Sequence, residues 1–199
     1  MIWIWLLFVL YAIFFAPGEG ISTDWIFRDL VSGQFQMIDP LVIMMFSSLG
    51  IFPILFALLL LRVDDRVIPA WPFVLLSFGL GAFAILPYLF LRSRSRLVTK
   101  RAFTPLRSLL SSRLFSFALL IGTCLLYGYG FIKGSINEYT QAFQSSQFIS
   151  IMTVDFFVLT VASFYVFWFI RKEGYKSFLC FLPILGPCLL LTATRHRPQ

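Results

Sequence analysis

The stretch WPFVLLSFGLGAFAILPYLFL, Trp71 to Leu91, decides how this chain is read. It carries no charged side chain. As one α-helix it would rise about 32 Å, close to the ~30 Å thickness of a bilayer's hydrocarbon. The expectation is therefore a membrane span. The small residues Ser77, Gly79, Gly81, Ala82 and Ala84 let a neighbouring helix approach closely, which makes them packing positions. A phosphate-binding glycine loop is a poor reading, because the glycines sit in mid-run with no strand before them. Pro87 removes a helix hydrogen bond and is expected to kink the helix, as is Pro53 in the run before it.

The rest of the chain agrees with a bilayer as solvent. Of its 199 residues 59% are hydrophobic and 13% charged, against about 25% charged in soluble domains. Six apolar runs stand out, roughly 2–16, 40–61, 71–91, 114–132, 148–170 and 178–194. The first is short, and it lacks the basic start of a secretory signal. The last is interrupted by Pro183, Gly186 and Pro187 and could reach only partway across. The fold class expected is an all-α polytopic membrane helix bundle of six spans.

Two connections have the look of helices lying in the membrane plane. In STDWIFRDLVSGQF (22–35), Trp25, Ile26, Leu30 and Val31 share a side, with Asp24 and Arg28 paired on the other. SINEYTQAFQSSQF (135–148) is a second, weaker case. The halves show traces of a repeat. Tyr11, Phe15, Gly18 and Asp39 match Tyr127, Phe131, Gly134 and Asp155 at one offset. The chain then divides into a three-span half (1–92), a basic connection (93–113) and a second three-span half (114–199). An odd number of spans per half would invert one half relative to the other.

Six alternating spans put residues 17–39, 92–113 and 171–177 on one side, with eleven of the sixteen Lys and Arg residues. The positive-inside rule makes that side cytoplasmic or stromal. The central connection carries Arg92, Arg94, Arg96, Lys100, Arg101, Arg107 and Arg113 without one acid. It either fixes topology alone or also offers a surface to anionic lipid or an acidic partner. Nothing suggests a nucleic-acid-reading domain.

Little catalytic chemistry can be assembled. The one histidine, His196, stands in the C-terminal tail, so bis-histidine haem and histidine-rich metal sites within the spans are not expected. Cys124, Cys180 and Cys188 form no C-x-x-C pair and read as small apolar packing residues. No cofactor is expected, and no enzyme activity can be named. Asp39, followed by Pro40, has the form of a helix start. Asp155, in TVDFFVL (153–159), is different, being the one Asp, Glu, Lys, Arg or His inside the six runs. An acid at mid-span costs about 2.5–3.5 kcal/mol on insertion scales. Asp155 is expected either to be protonated or to bond nearby hydroxyls and amides, with Ser150 and Thr153 as local candidates. It is a candidate functional residue on general grounds. Asp39 and Asp155 are expected nearer opposite sides, and so not to form a carboxylate dyad.

PAWPFVLLSFGLGAFAILPYLFLR (69–92) resembles a segment of multi-span membrane proteins of cyanobacteria and plastids, and SSQFISIMTVDFF (145–157) with PILGPCLLL (183–191) resembles their second half. The resemblance implies a thylakoid or bacterial plasma membrane. It supplies no catalytic residue and no substrate. Two functions follow as expectations. The first is a non-enzymatic component assembling with other membrane subunits. The second is a small proton- or cation-coupled transporter or channel using Asp155.

Overall fold

A computed structural model describes residues 1–18, 20, 23–61, 66–96 and 113–193, and of Arg113 the backbone only. The described residues are mostly helical, and none lies in a β-strand. In chain order the helices are α1 (Ile2–Leu10, continued by a π-helical stretch Tyr11–Phe15), α2 (Trp25–Ser32) and α3 (Pro40–Leu60). Then come α4 (Trp71–Leu80), α5 (Ala82–Arg94), α6 (Arg113–Lys133) and α7 (Ile136–Ser145). Next are α8 (Gln147–Tyr165, continued by a π-helical stretch Val166–Ile170), a 310 segment Gly174–Phe181, and α9 (Leu185–Ala193). Three helices, Pro40–Leu60, Leu114–Lys133 and Gln147–Ile170, are long and apolar enough to cross a membrane. Ile2–Phe15 and Trp71–Leu80 are shorter apolar helices. α3 continues through the buried Pro53 without interruption.

Side-chain contacts fix the helix directions. Phe148 at the start of α8 lies 6.2 Å from Phe46, and Phe156 further along lies 5.6 Å from Phe52. Both partners advance together, so α3 and α8 are parallel neighbours. α6 is antiparallel to α3. A side-chain carbon on Gly134 would strike Leu41, and one on Gly130 would strike Met44, so the numbers run in opposite senses. The absence of a side chain at these two glycines is what allows α6 so close. α1 is antiparallel to α8 in the same way. Tyr11 and Ser150 share a 2.6 Å hydroxyl hydrogen bond, and Gly18 lies against the backbone of residues 145–147.

The stretch 71–91 does not form one helix. The chain breaks at Gly81, whose φ of 51° and ψ of −126° lie in a region open to glycine. α5 then folds back along α4. The ring of Phe73 sits 5.3 Å from that of Tyr88, whereas fifteen residues of straight helix would span about 22 Å. At the open end Val67 N–H donates to the Arg96 carbonyl at 3.2 Å, and Arg66 Nη1 donates to the Ser95 carbonyl at 2.6 Å. The expected third span is therefore a helical hairpin whose two ends lie together. The physical reason is the glycine: an alanine there would have favoured one continuous helix.

The last apolar run behaves alike. The 310 segment and α9 pack on each other, and the chain turns through 182–184, with Ile184 at φ 60°. A side-chain carbon on Gly186 would stand 1.6 Å from the Leu179 carbonyl oxygen, so the two legs touch there. The open ends of both hairpins lie at the end of the bundle where α3 and α8 finish and α6 begins. α2 and α7 connect helices at the opposite end.

Candidate functional site

Asp155 sits on α8 against the turn of the first hairpin, and it is 7% exposed. Its Oδ1 accepts a 2.7 Å hydrogen bond from the backbone N–H of Ala82, the first residue of α5. Its Oδ2 lies over Gly81, where a side-chain carbon would come within 1.9 Å. Helix starts leave backbone N–H groups without intrahelical partners and carry partial positive charge. In water, solvent satisfies them. Deep in an apolar bundle a side chain has to, and an unmade bond there costs about 1–3 kcal/mol. Asp155 is thus the cap of a helix that begins in the interior, supplied by the other half of the chain. Its candidate local partners are engaged elsewhere. Ser150 pairs with Tyr11, and Thr153 pairs with Tyr139 and donates to the Ile149 carbonyl.

The packing positions divide. Ser77 and Ala82 are buried, with Ser77 Oγ donating to the Val74 carbonyl at 2.7 Å. Gly81 is the turn itself. Gly79 is exposed, with open space where its side chain would be, so within this chain it packs against nothing. Sequence reasoning missed the function of Gly81 because a helix break and a packing notch leave the same small-residue signature. The available signal was the conjunction of that glycine with an acid lacking any basic partner.

Two further acids cap helices at the opposite end. Asp39 Oδ1 accepts from Leu41 N–H at 2.8 Å, starting α3 with Pro40 at its first position. Its Oδ2 accepts from Ser135 N–H, also at 2.8 Å, which ties the end of α6 to the start of α3. Asp24 is buried rather than paired with Arg28. Its carboxylate accepts from Ile26 and Phe27 N–H at 2.9 and 3.2 Å and from the Ser146 hydroxyl. Ser146 in turn caps α8 through Ile149 N–H. Of the four α2 residues expected on one side, Ile26 and Leu30 face the protein, whereas Trp25 and Val31 point outward, being half or more exposed; Phe27 also packs inward, its ring 4.7 Å from that of Phe148. Since α3 and α8 are parallel, Asp39 and the start of α8 lie at the same end, not at opposite ones. Asp39 and Asp155 still engage separate partners.

The basic residues gather at the hairpins' open ends. Arg94 and Arg96 are exposed, and Arg94 stacks over Phe90 at 4.6 Å. Arg92 is buried, with Nη1 donating to the Tyr88 hydroxyl at 3.3 Å. Arg171, Lys172 and Lys176 follow α8 at the same end. Burial lowers the Arg171 pKa, opposed by Glu173 at 3.9 Å. Lys100, Arg101 and Arg107, like His196, lie outside the described residues. Among the described residues no cluster of three or more His, Cys, Asp or Glu could hold a metal. Cys124 is exposed and Cys180 and Cys188 are buried, all as free thiols.

These features define an all-helical protein, among the described residues, with an internally capped hairpin and three helices long and apolar enough to cross a membrane. No protein-family model, curated protein or solved structure matches the chain.

Proposed function

We propose that the chain is a multi-pass, non-enzymatic membrane protein that assembles with or supports a larger membrane complex. Its architecture would be two parallel repeats, each of two crossings joined by an in-plane helix and followed by a re-entrant hairpin. This replaces three spans per half: an even number of crossings keeps both halves in one orientation. Several observations support it. α3 and α8 run parallel. Ser77-Phe78 and Pro87 recur as Ser177-Phe178 and Pro187 at a constant offset. At that same offset, the Phe83 carbonyl accepts from Trp5 Nε1 at 3.2 Å and the Pro183 carbonyl from the Tyr127 hydroxyl at 3.1 Å.

The arrangement also sharpens the charge argument. Segments that begin and end at the hairpins' open side hold Arg62, Arg66, all seven basic residues of 92–113, and Arg171, Lys172 and Lys176. Arg28 and Lys133 fall at the other end. The hairpins would therefore dip in from the cytoplasmic or stromal side. The resemblance to cyanobacterial and plastid proteins makes the thylakoid or the bacterial plasma membrane the place to look.

One observation carries the functional choice: Asp155 is engaged in capping α5. A transport role would need that carboxylate to exchange a proton or cation along a path; the cap instead gives it a scaffold's duty. The test is purification from native membranes with and without Asp155→Asn. The proposal expects a larger complex to co-purify in both cases. A protein that comes out alone, or a variant that stays inserted but loses ion coupling, contradicts it.

A further inference from the structure

The two legs of the first hairpin are covered to different degrees. On α5, Ala82, Ala84, Ile85 and Leu86 are buried. On α4, Leu75, Leu76, Phe78 and Leu80 are each more than half exposed, and Gly79 faces open space. The turn leaves a polar group on that outer leg. In a continuous helix the Phe78 carbonyl would accept from the N–H four residues on, that of Ala82. Here Asp155 takes that N–H. The Gly81 N–H goes to the Ser77 carbonyl at 2.9 Å. The Phe78 carbonyl is thus left without its helix donor, at a helix C-terminus where partial negative charge gathers. The second hairpin differs: the carbonyls of Leu179, Leu182, Pro183 and Ile184 all accept hydrogen bonds from within the chain.

The level of the turn decides what can cover it. α4 has ten residues. Its end therefore lies about 15 Å below the hairpin's mouth, half of a ~30 Å hydrocarbon layer. Asp155, against Gly81, stands well inside the span-length helix Gln147–Ile170. Lipid tails donate no hydrogen bond. Backbone without an internal partner is tolerated at that depth only where protein or a water-filled cavity covers it. A held water needs about two to four polar partners, and the exposed side chains around the Phe78 carbonyl are leucines and a phenylalanine. A protein surface fits better. The missing side chain at Gly79 lets a helix come close, as small residues do in membranes. The group that helix has to bring is a hydrogen-bond donor.

We propose that the outer face of α4, around Phe78 and Gly79, docks a transmembrane helix of a different subunit, which donates a hydrogen bond to the Phe78 carbonyl from an uncharged hydroxyl, amide or indole side chain. The inference deepens the assembly role given above and rests on it. The donor complements the partly negative end of α4, and Leu75, Leu76 and Leu80 pack on the apolar remainder of the partner helix. A second copy of this chain fits less well. Its least buried span-length helix, Leu114–Lys133, keeps its mid-helix hydroxyl, Thr123, buried and donated to its own Leu119 carbonyl at 2.8 Å.

The test uses the full-length chain in native membranes. A side chain at Gly79 meets nothing within the chain, so Gly79→Leu should unfold in detergent like the parent protein. The partner that co-purifies should nevertheless fall about tenfold or more. Gly122→Leu, at another open glycine, should keep the partner. Equal retention by Gly79→Leu, or equal loss by Gly122→Leu, overturns the inference. p-Benzoylphenylalanine in place of Phe78, photolysed in the membrane, should cross-link to a span of another protein that carries a donor side chain within one helical turn of the adduct. Replacing that donor by leucine should weaken co-purification as Gly79→Leu does. An adduct with lipid alone, with a second copy of the chain, or with a span lacking a donor contradicts the proposal. Gly79→Cys, in a background without the native cysteines, should resist a small water-soluble maleimide in the assembled complex; rapid alkylation would assign the face to water. The two levels separate cleanly. A chain that leaves native membranes alone refutes the assembly role itself, whereas a complex that stays whole with Gly79→Leu refutes this inference only.

Discussion

The two hairpins make the same reversal with different chemistry. The first turns on Gly81, and its returning helix begins with the free N–H of Ala82, which Asp155 accepts from another helix. The second turns on Ile184 and involves no acid. Leu185 N–H donates to the Pro183 carbonyl at 2.6 Å and Gly186 N–H to the Leu182 carbonyl at 2.9 Å. Pro187, third in the helix, has no N–H to satisfy. The second hairpin thus accounts for its first donors locally, and the first imports its acceptor. That difference explains a lone carboxylate in α8 without any chemistry of transport or catalysis. It also means that the first hairpin links the two halves of the chain, whereas the second is held by its own half through Tyr127.

Substitutions break this contrast in a definite order. Gly81→Ala should have the largest effect, because the side chain meets Asp155 and the backbone leaves the glycine region. We expect a loss of about 3 kcal/mol or more, measured by unfolding in detergent. Asp155→Ala should cost about 1–3 kcal/mol, from one orphaned interior N–H. Asp155→Asn should cost less, since an amide oxygen caps a helix nearly as well as a carboxylate. Should Asn prove as damaging as Ala, the charge and not the cap would be what matters. Tyr127→Phe removes the bond to Pro183 and should cost about 1 kcal/mol, leaving the first hairpin intact.

The helical class was legible in the sequence, because apolar runs of about 20 residues in a chain only 13% charged read as helices of membrane-spanning length. The Asp39-Pro40 helix start was legible too, since all of its chemistry is local. What could not be read is the course of 71–91. Hydropathy reports that a segment avoids water, and a hairpin avoids it as well as a straight span does. The choice rests on one glycine and on an acceptor 73 residues away in sequence. The same limit hid Asp24. Its spacing from Arg28 suits a surface pair, but the Ser146 hydroxyl that draws it inward belongs to the other half. Once the first hairpin is counted as two half-crossings, the expected directions of every later helix reverse, and α8 becomes parallel to α3.

Cysteine labelling of the first hairpin's two ends tests this directly. In a background lacking the three native cysteines, Val67→Cys and Arg96→Cys would be placed singly in the inserted protein and exposed to an impermeant maleimide from one side at a time. A re-entrant hairpin predicts that both react from the same side, which is also the side of the basic connection. Reaction from opposite sides would mean that Trp71–Leu91 crosses the membrane, and the parallel-repeat account would fail with it.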